Sequence, residues 1–182
     1  MAITTFAAID IGSYEVSMKI FELSKKIGFR QLNDVRYRLE IGKGAYSSGR
    51  LEPEIVDSIC MILNDFSKMM KEFGVLDYRA CATSAFREMI NPLIVQEQIY
   101  CRTGIRVEIL SNAEQHFLGY KSIAAKEAGF KKMIQKGTAI LDVGGGGLQV
   151  SLFDKDTLVT TQSLKMGSMR IRERLKELEK AT

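Results

Sequence analysis

Ala7-Ala8-Ile9-Asp10-Ile11-Gly12-Ser13 near the start and Ala139-Ile140-Leu141-Asp142-Val143-Gly144-Gly145-Gly146-Gly147 near the end share one plan: a short apolar run, an aspartate, then glycine. Each run reads as a buried strand, and the glycines let the turn that follows bring bare backbone up to an anion. One such turn is a weak signal. Two of them, far apart in the chain, predict two related lobes, each offering backbone N–H groups to phosphate oxygens and a carboxylate to a metal.

Outward from the first turn, Val16, Met18 and Ile20 alternate with Ser17 and Lys19, and Val35, Tyr37, Leu39 and Ile41 alternate with Arg36, Arg38 and Glu40. Period-two patterning predicts a three-stranded meander over the first 42 residues. Gly42, Gly44 and Gly49 predict a loop. Pro53 then opens a helix in which Ile55, Ile59, Ile62, Leu63, Phe66, Met69, Met70 and Phe73 recur at the helical period, a core stripe rather than a cofactor box. Strand and helix alternate from there: Asp77–Ala82 extended, Asn91-Pro92 as cap and first turn, Arg106–Leu110 extended, and a helix from about Ala113 to Ala128. A lysine-rich stretch, Gly129–Gly137, leads into a second strand–turn–strand unit at Thr138. Strands over Leu148–Phe153 and Leu158–Leu164 follow, then a helix with Ile171, Leu175 and Leu178 on one face. The expectation is an α/β chain: a first lobe over 1–129 with a mixed five-stranded sheet, and the beginning of a second over 130–182. That second sheet would be incomplete, and its open edge asks for a second copy of the chain or the remainder of the lobe.

A length of 182 residues, 46% hydrophobic and 26% charged, is globular composition and excludes disordered and collagen-like classes. The net charge of +4 is unevenly spread. Lys121 to Lys136 holds five lysines against one acid, and Lys165 to Lys180 six basic residues against three acids. Solvated helix faces are the commoner reading of such runs, attraction to polyanions the sharper one. Cys60, Cys81 and Cys101 lack close pairing, so reduced thiols filling a core are expected in a cytoplasmic protein. Neither a membrane-length apolar run nor a basic segment before the first apolar stretch is present, so no membrane partner and no signal peptide are expected.

With these residues in view the chain resembles the exopolyphosphatase and guanosine pentaphosphate phosphohydrolase (Ppx/GppA) family, of the actin, sugar-kinase and chaperone-ATPase superfold. The resemblance runs through Asp10-Ile11-Gly12-Ser13, Ala82-Thr83-Ser84-Ala85-Phe86-Arg87-Glu88-Met89-Ile90-Asn91, Thr103-Gly104-Ile105, Asp142-Val143-Gly144-Gly145-Gly146 and Met166-Gly167-Ser168. The Ala-Thr-Ser-Ala-x-Arg segment is the most specific of these. It implies a ribonuclease H-like lobe, the start of a second, and an interlobe cleft for an extended phosphate chain. It also implies release of orthophosphate from the end of polyphosphate or from guanosine pentaphosphate, with Mg2+ or another divalent metal and without DNA as a partner. Carried over by position, Gly12, Ser13, Gly144, Gly145 and Gly146 would meet phosphate oxygens through their amides. Arg87 would add a forked donor at the end of its strand, and Asp10 and Asp142 would lie near the metal.

Two positions depart from the family. Its catalytic base, the second glutamate of a Gly-x-Glu-Glu-Ala-Arg segment, falls on Gln115 of Asn112-Ala113-Glu114-Gln115-His116-Phe117. A second carboxylate after the glycine turn falls on Gln149. An amide orients water but accepts no proton at ordinary pH, and losing a general base costs about 10²–10⁴-fold in rate. Glu114 points about 100° away from its neighbour on a helix, and Ser111-Asn112-Ala113-Glu114 reads as a capping box that already occupies it. His116, the one histidine, is more readily a packed residue than a replacement base. The first turn departs as well: Tyr14-Glu15 stands where the family has Asn-Ser, placing bulk and negative charge beside the expected phosphate. The expectations are therefore a family phosphohydrolase, weakened by its two glutamines; a non-catalytic module that binds polyphosphate or a guanine alarmone; and, ranked last, an actin-like or sugar-kinase ATPase.

Overall fold

In the computed structural model, which describes residues 3–26, 28–127 and 129–181, strand β1 (Thr4–Ile11) turns Ala7, Ile9 and Ile11 inward and Ala8 and Asp10 outward, as strand alternation requires. It pairs antiparallel with β2 (Glu15–Ser24), setting Ile20, Met18 and Val16 opposite Ala7, Ile9 and Ile11, and β2 pairs in turn with β3 (Gly28–Arg38). The inward face is apolar on both strands, so a slip of one residue would expose all six side chains.

The chain then makes two helices, α1 (Ile41–Ser47) and α2 (Pro53–Glu72), before β4 (Asp77–Ala82) returns parallel to β1. Pro53 sits at the start of α2, where its missing N–H is harmless. Ile59, Leu63 and Phe66 are fully buried, each worth about 1.5–3 kcal/mol in transfer from water. A one-turn helix α3 (Ser84–Glu88), then α4 (Pro92–Thr103) and β5 (Val107–Ile109) complete a mixed five-stranded sheet in the order β3-β2-β1-β4-β5. This is the ribonuclease H-like lobe expected from the sequence.

A second unit follows with α5 (Asn112–Lys126), α6 (Phe130–Ile134), β6 (Thr138–Val143), β7 (Leu148–Asp154), β8 (Thr157–Leu164) and α7 (Ser168–Ala181). Its sheet has three strands in the order β6-β7-β8, so β6 has one neighbour where β1 has two. On β6, Leu141 and Val143, on the face opposite Asp142, are 63% and 69% exposed. In this unit Leu110, Ile134, Phe153 and Met169 are buried, and Tyr120 and Phe130 stand edge-on to the Phe153 ring.

Several expectations are corrected. Ile41 begins a helix instead of ending a strand, because Gly42 N–H is held by the Ser13 carbonyl and Ile41 is buried against the core; the glycine-rich loop is therefore largely helix. The lysine-rich stretch contains α6, turned onto the sheet by Phe130 and Ile134. Two compact units divide between Ile109 and Leu110, and α5 is bonded to the second sheet through His116 and Tyr120. Ala128, the expected last residue of α5, lies outside the described residues. Of the cysteines only Cys60 is buried; Cys101 is exposed on α4, so core filling does not describe it. Ile171, Leu175 and Leu178 share a face of α7 as expected, but all three are exposed, and among the described residues it is Met169 that α7 buries.

Candidate phosphate-binding turns

The β1–β2 turn is closed by its own backbone. Gly12, expected from sequence to meet phosphate, donates its N–H to the Glu15 carbonyl at 2.9 Å, which commits that amide within the turn. Ser13 N–H meets no acceptor among the described residues. The Ser13 side chain is 5% exposed and its hydroxyl reaches Tyr46 Oη and Ser84 Oγ, while its carbonyl accepts from Gly42. Tyr14 and Glu15 both turn toward β3, where Arg38 stacks over the Tyr14 ring and Arg36 pairs with Glu15 at 3.4 Å.

Asp10, at the outward side of β1, keeps access to solvent but is closely surrounded by protein. That crowding, with Glu15 adding negative charge, pushes its pKa up to about 6. Arg87 lies on the last turn of α3 and not at a strand end: β4 stops at Ala82, and the Arg87 N–H returns to the Thr83 carbonyl at 3.1 Å. Its guanidinium is partly buried, which lowers its pKa, while Tyr46 and Glu88 act in the opposite direction.

In the second unit, Gly144 N–H closes the β6–β7 turn onto the Gly147 carbonyl at 2.9 Å. The other carbonyls of the turn face α7: Gly144 accepts from Ser168 N–H, Gly145 from Met169 N–H, and Gly146 from Arg170 Nε. The described peptides are all trans, so the N–H at the far side of each carbonyl points the other way. Gly145 and Gly146 therefore direct their N–H groups away from α7, and no acceptor among the described residues engages them. Gly167 makes this fit possible, since a Cβ there would stand 2.3 Å from the Gly145 oxygen. Met166-Gly167-Ser168, carried in the sequence only by resemblance, is thus the seat on which the turn rests.

Asp142 and Gln149 face each other across β6 and β7 on the side covered by α5, and both line a cavity of about 250 Å3 with His116, Tyr120 and Ser151. Gln115, on the first turn of α5, is not among the residues lining it. Glu114 is held as the capping box requires: its carboxylate accepts from Ser111 N–H at 2.9 Å and its N–H donates to Ser111 Oγ at 3.2 Å. His116 is 6% exposed, with Nε2 on Ser163 Oγ at 3.0 Å and Nδ1 on Thr161 Oγ1 at 2.8 Å. It is a packed, hydrogen-bonded side chain.

No cluster of three or more metal-ligating side chains occurs among the described residues. Within its own unit each aspartate nevertheless offers hard oxygen donors: Asp10 its carboxylate, and Asp142 a carboxylate opposite the Gln149 amide. That set suits magnesium, which usually takes one or two carboxylates and fills the rest of its shell with water and phosphate. Sequence reasoning missed Tyr46, which joins the first turn from 33 residues away and carries no motif.

The Ppx/GppA phosphatase family matches residues 20–178. The chain is 26% identical over 186 residues to "Exopolyphosphatase 2" of Mycobacterium tuberculosis, covering 96% of this chain and 56% of that protein. It is 23% identical over 170 residues to "Guanosine-5'-triphosphate,3'-diphosphate pyrophosphatase" of Photobacterium profundum, covering 93% of this chain and 33% of that protein. The crystal structure of an exopolyphosphatase from Cytophaga hutchinsonii superposes with a TM-score of 0.83 at 22% identity, over 94% of this chain and 53% of that one. The chain thus spans about half the length, or less, of the proteins it matches. A family match over most of the residues, on a fold with two aspartate–glycine turns, establishes that this chain belongs to the Ppx/GppA phosphatase family.

Proposed function

We propose that this chain carries the phosphate-holding part of a phosphohydrolase that releases orthophosphate from the end of polyphosphate or from guanosine pentaphosphate. The observation that carries the reading is the β6–β7 turn, whose Gly145 and Gly146 amides are turned outward beside Asp142. Ser13 N–H and Arg87 supply the corresponding donors of the first unit. Backbone amides and a guanidinium bind phosphoryl oxygens without proton transfer and favour the form with more negative charge. Asp10 and Asp142 would hold Mg2+, which supplies charge neutralisation at the phosphoanhydride. Asp10 is suited to this, because a carboxylate whose negative form is disfavoured is relieved by a nearby cation. In this reading the protein works in the cytoplasm on a soluble anion; no described helix is long and apolar enough to cross a membrane. A second copy or the remainder of the lobe covers the open edge of β6.

Turnover by this chain is expected to be slow, since Gln115 and Gln149 accept no proton. One observation favours a non-catalytic binding module: both neighbours able to replace the base are occupied, Glu114 in the helix cap and His116 between Thr161 and Ser163. The test is phosphate release from long-chain polyphosphate with Mg2+ by the parent chain and by Gln115→Glu. A slow parent and a variant faster by about 10²-fold or more support the hydrolase reading. Tight binding by both with no release supports the module. Equal, fast release by both would remove Gln115 from the base position.

A further inference from the structure

Three hydroxyls meet beneath the first turn. Ser13 Oγ lies 2.5 Å from Tyr46 Oη and 2.9 Å from Ser84 Oγ, and Tyr46 Oη lies 2.9 Å from Ser84 Oγ. Three hydroxyls in mutual reach close a ring in which each donates once and accepts once. Such a ring leaves no O–H over for a ligand; what it does is fix three segments against one another. Ser13 belongs to the turn after Asp10, Tyr46 to α1, and Ser84 opens the helix that carries Arg87 one turn later.

The contacts around the ring support that assignment. Gly42 and Tyr46 stand four residues apart and so share a face of α1. Gly42 N–H holds the Ser13 carbonyl at 2.8 Å while the Tyr46 hydroxyl holds its side chain, so α1 grips one residue of the turn at two points. Gly42 has to lack a side chain for this, because a Cβ there would stand 2.6 Å from the Tyr46 ring and 3.1 Å from Ser13 Cβ.

We infer that Tyr46 is a positioning residue for phosphate binding: through Ser13 and Ser84 its hydroxyl sets the Ser13 N–H and the Arg87 guanidinium in register for one phosphoryl group. This rests on the phosphate-binding reading of the first turn. Tyr46 touches no phosphate itself, and its role is carried by one oxygen atom, so replacing that oxygen alone is the decisive change.

The experiment is calorimetric titration of the full chain with magnesium tripolyphosphate, comparing the parent, Tyr46→Phe, Ser84→Ala, the double variant and Arg87→Ala, with a melting temperature for each. Tyr46→Phe keeps the ring packed on Gly42. It is expected to weaken binding about 3- to 10-fold, the worth of one hydrogen bond, and to lower the melting temperature by only about 2–6 °C, with the chain still folded at the titration temperature. The double variant is expected to lose little more than either single one, because the two hydroxyls act through the same ring. Parent-like affinity in Tyr46→Phe overturns the inference, and so do additive losses in the double variant or a loss that only follows melting temperature. If the parent fails to bind, or Arg87→Ala binds as the parent does, the underlying reading of the site falls and the role of Tyr46 with it.

Discussion

An alanine at position 167 would test the seat of the second turn most directly. Its Cβ would lie 2.3 Å from Gly145 O, 2.3 Å from Gly147 N and 2.4 Å from Gly145 C. All three atoms are backbone, so no rotamer change relieves them, and the turn must retreat by about 1 Å to reach ordinary contact. That retreat strains two hydrogen bonds that join the turn to α7, Ser168 N–H to Gly144 at 3.1 Å and Met169 N–H to Gly145 at 2.9 Å. Overpacking costs about 1–3 kcal/mol and each of the two lost hydrogen bonds about 0.5–1.5 kcal/mol, giving about 2–6 kcal/mol for Gly167→Ala. The assay is amide hydrogen exchange at Ser168 and Met169 by NMR, beside urea unfolding of the chain. A loss of about 3 kcal/mol raises the exchange rate at those amides roughly 100-fold. Protection within about twofold of the parent, with an unchanged urea midpoint, would refute the account of Gly167 as a seat that tolerates no side chain.

Two further outcomes are expected. Native Asp10, with a pKa near 6 against 3.8 for the free side chain, binds its proton more tightly than the unfolded chain does, so metal-free stability falls as pH rises from about 4 to about 6. Asp10→Asn should therefore raise the melting temperature in chelator at pH 7.5 and lose that advantage at pH 4; a variant less stable than the parent at pH 7.5 would contradict this. His116→Ala removes a buried ring and the bonds to Ser163 and Thr161, and should lower the stability of the second unit by about 2–4 kcal/mol in urea unfolding. An unchanged midpoint would show that the ring is not packed as described.

What could be read from the sequence follows from how far apart the cooperating residues lie. The β1–β2 pairing was legible because Ile9, Ile11, Val16 and Met18 declare one buried face by local alternation, and the Ser111–Glu114 box because both halves sit within one helical turn. The helix at Ile41–Ser47 was not, because glycines at 42 and 44 suggest a loop and only the distant Ser13 carbonyl and the core explain the helix. The helical backbone at Arg87 was not legible either, since one turn of helix has no periodicity to detect. Of the turn amides, Gly12 and Gly144 proved committed to their own turns, a matter of hydrogen-bond direction that residue type cannot express. The hydroxyl ring joins residues 13, 46 and 84, which no spacing rule connects.

The hydrogen bonds from α7 and Arg170 to the second turn also alter what that turn is electrically. A peptide group whose oxygen accepts a hydrogen bond is drawn into greater polarisation, and its N–H becomes a stronger donor, by roughly 10–30% per bond in condensed-phase estimates. The peptides bearing the Gly145 and Gly146 N–H groups are both loaded in this way, through the Gly144 and Gly145 oxygens. The start of α7 thus acts as an amplifier wired behind the turn. Substitutions that shift its register will weaken those two amides as donors without changing any residue of the turn itself.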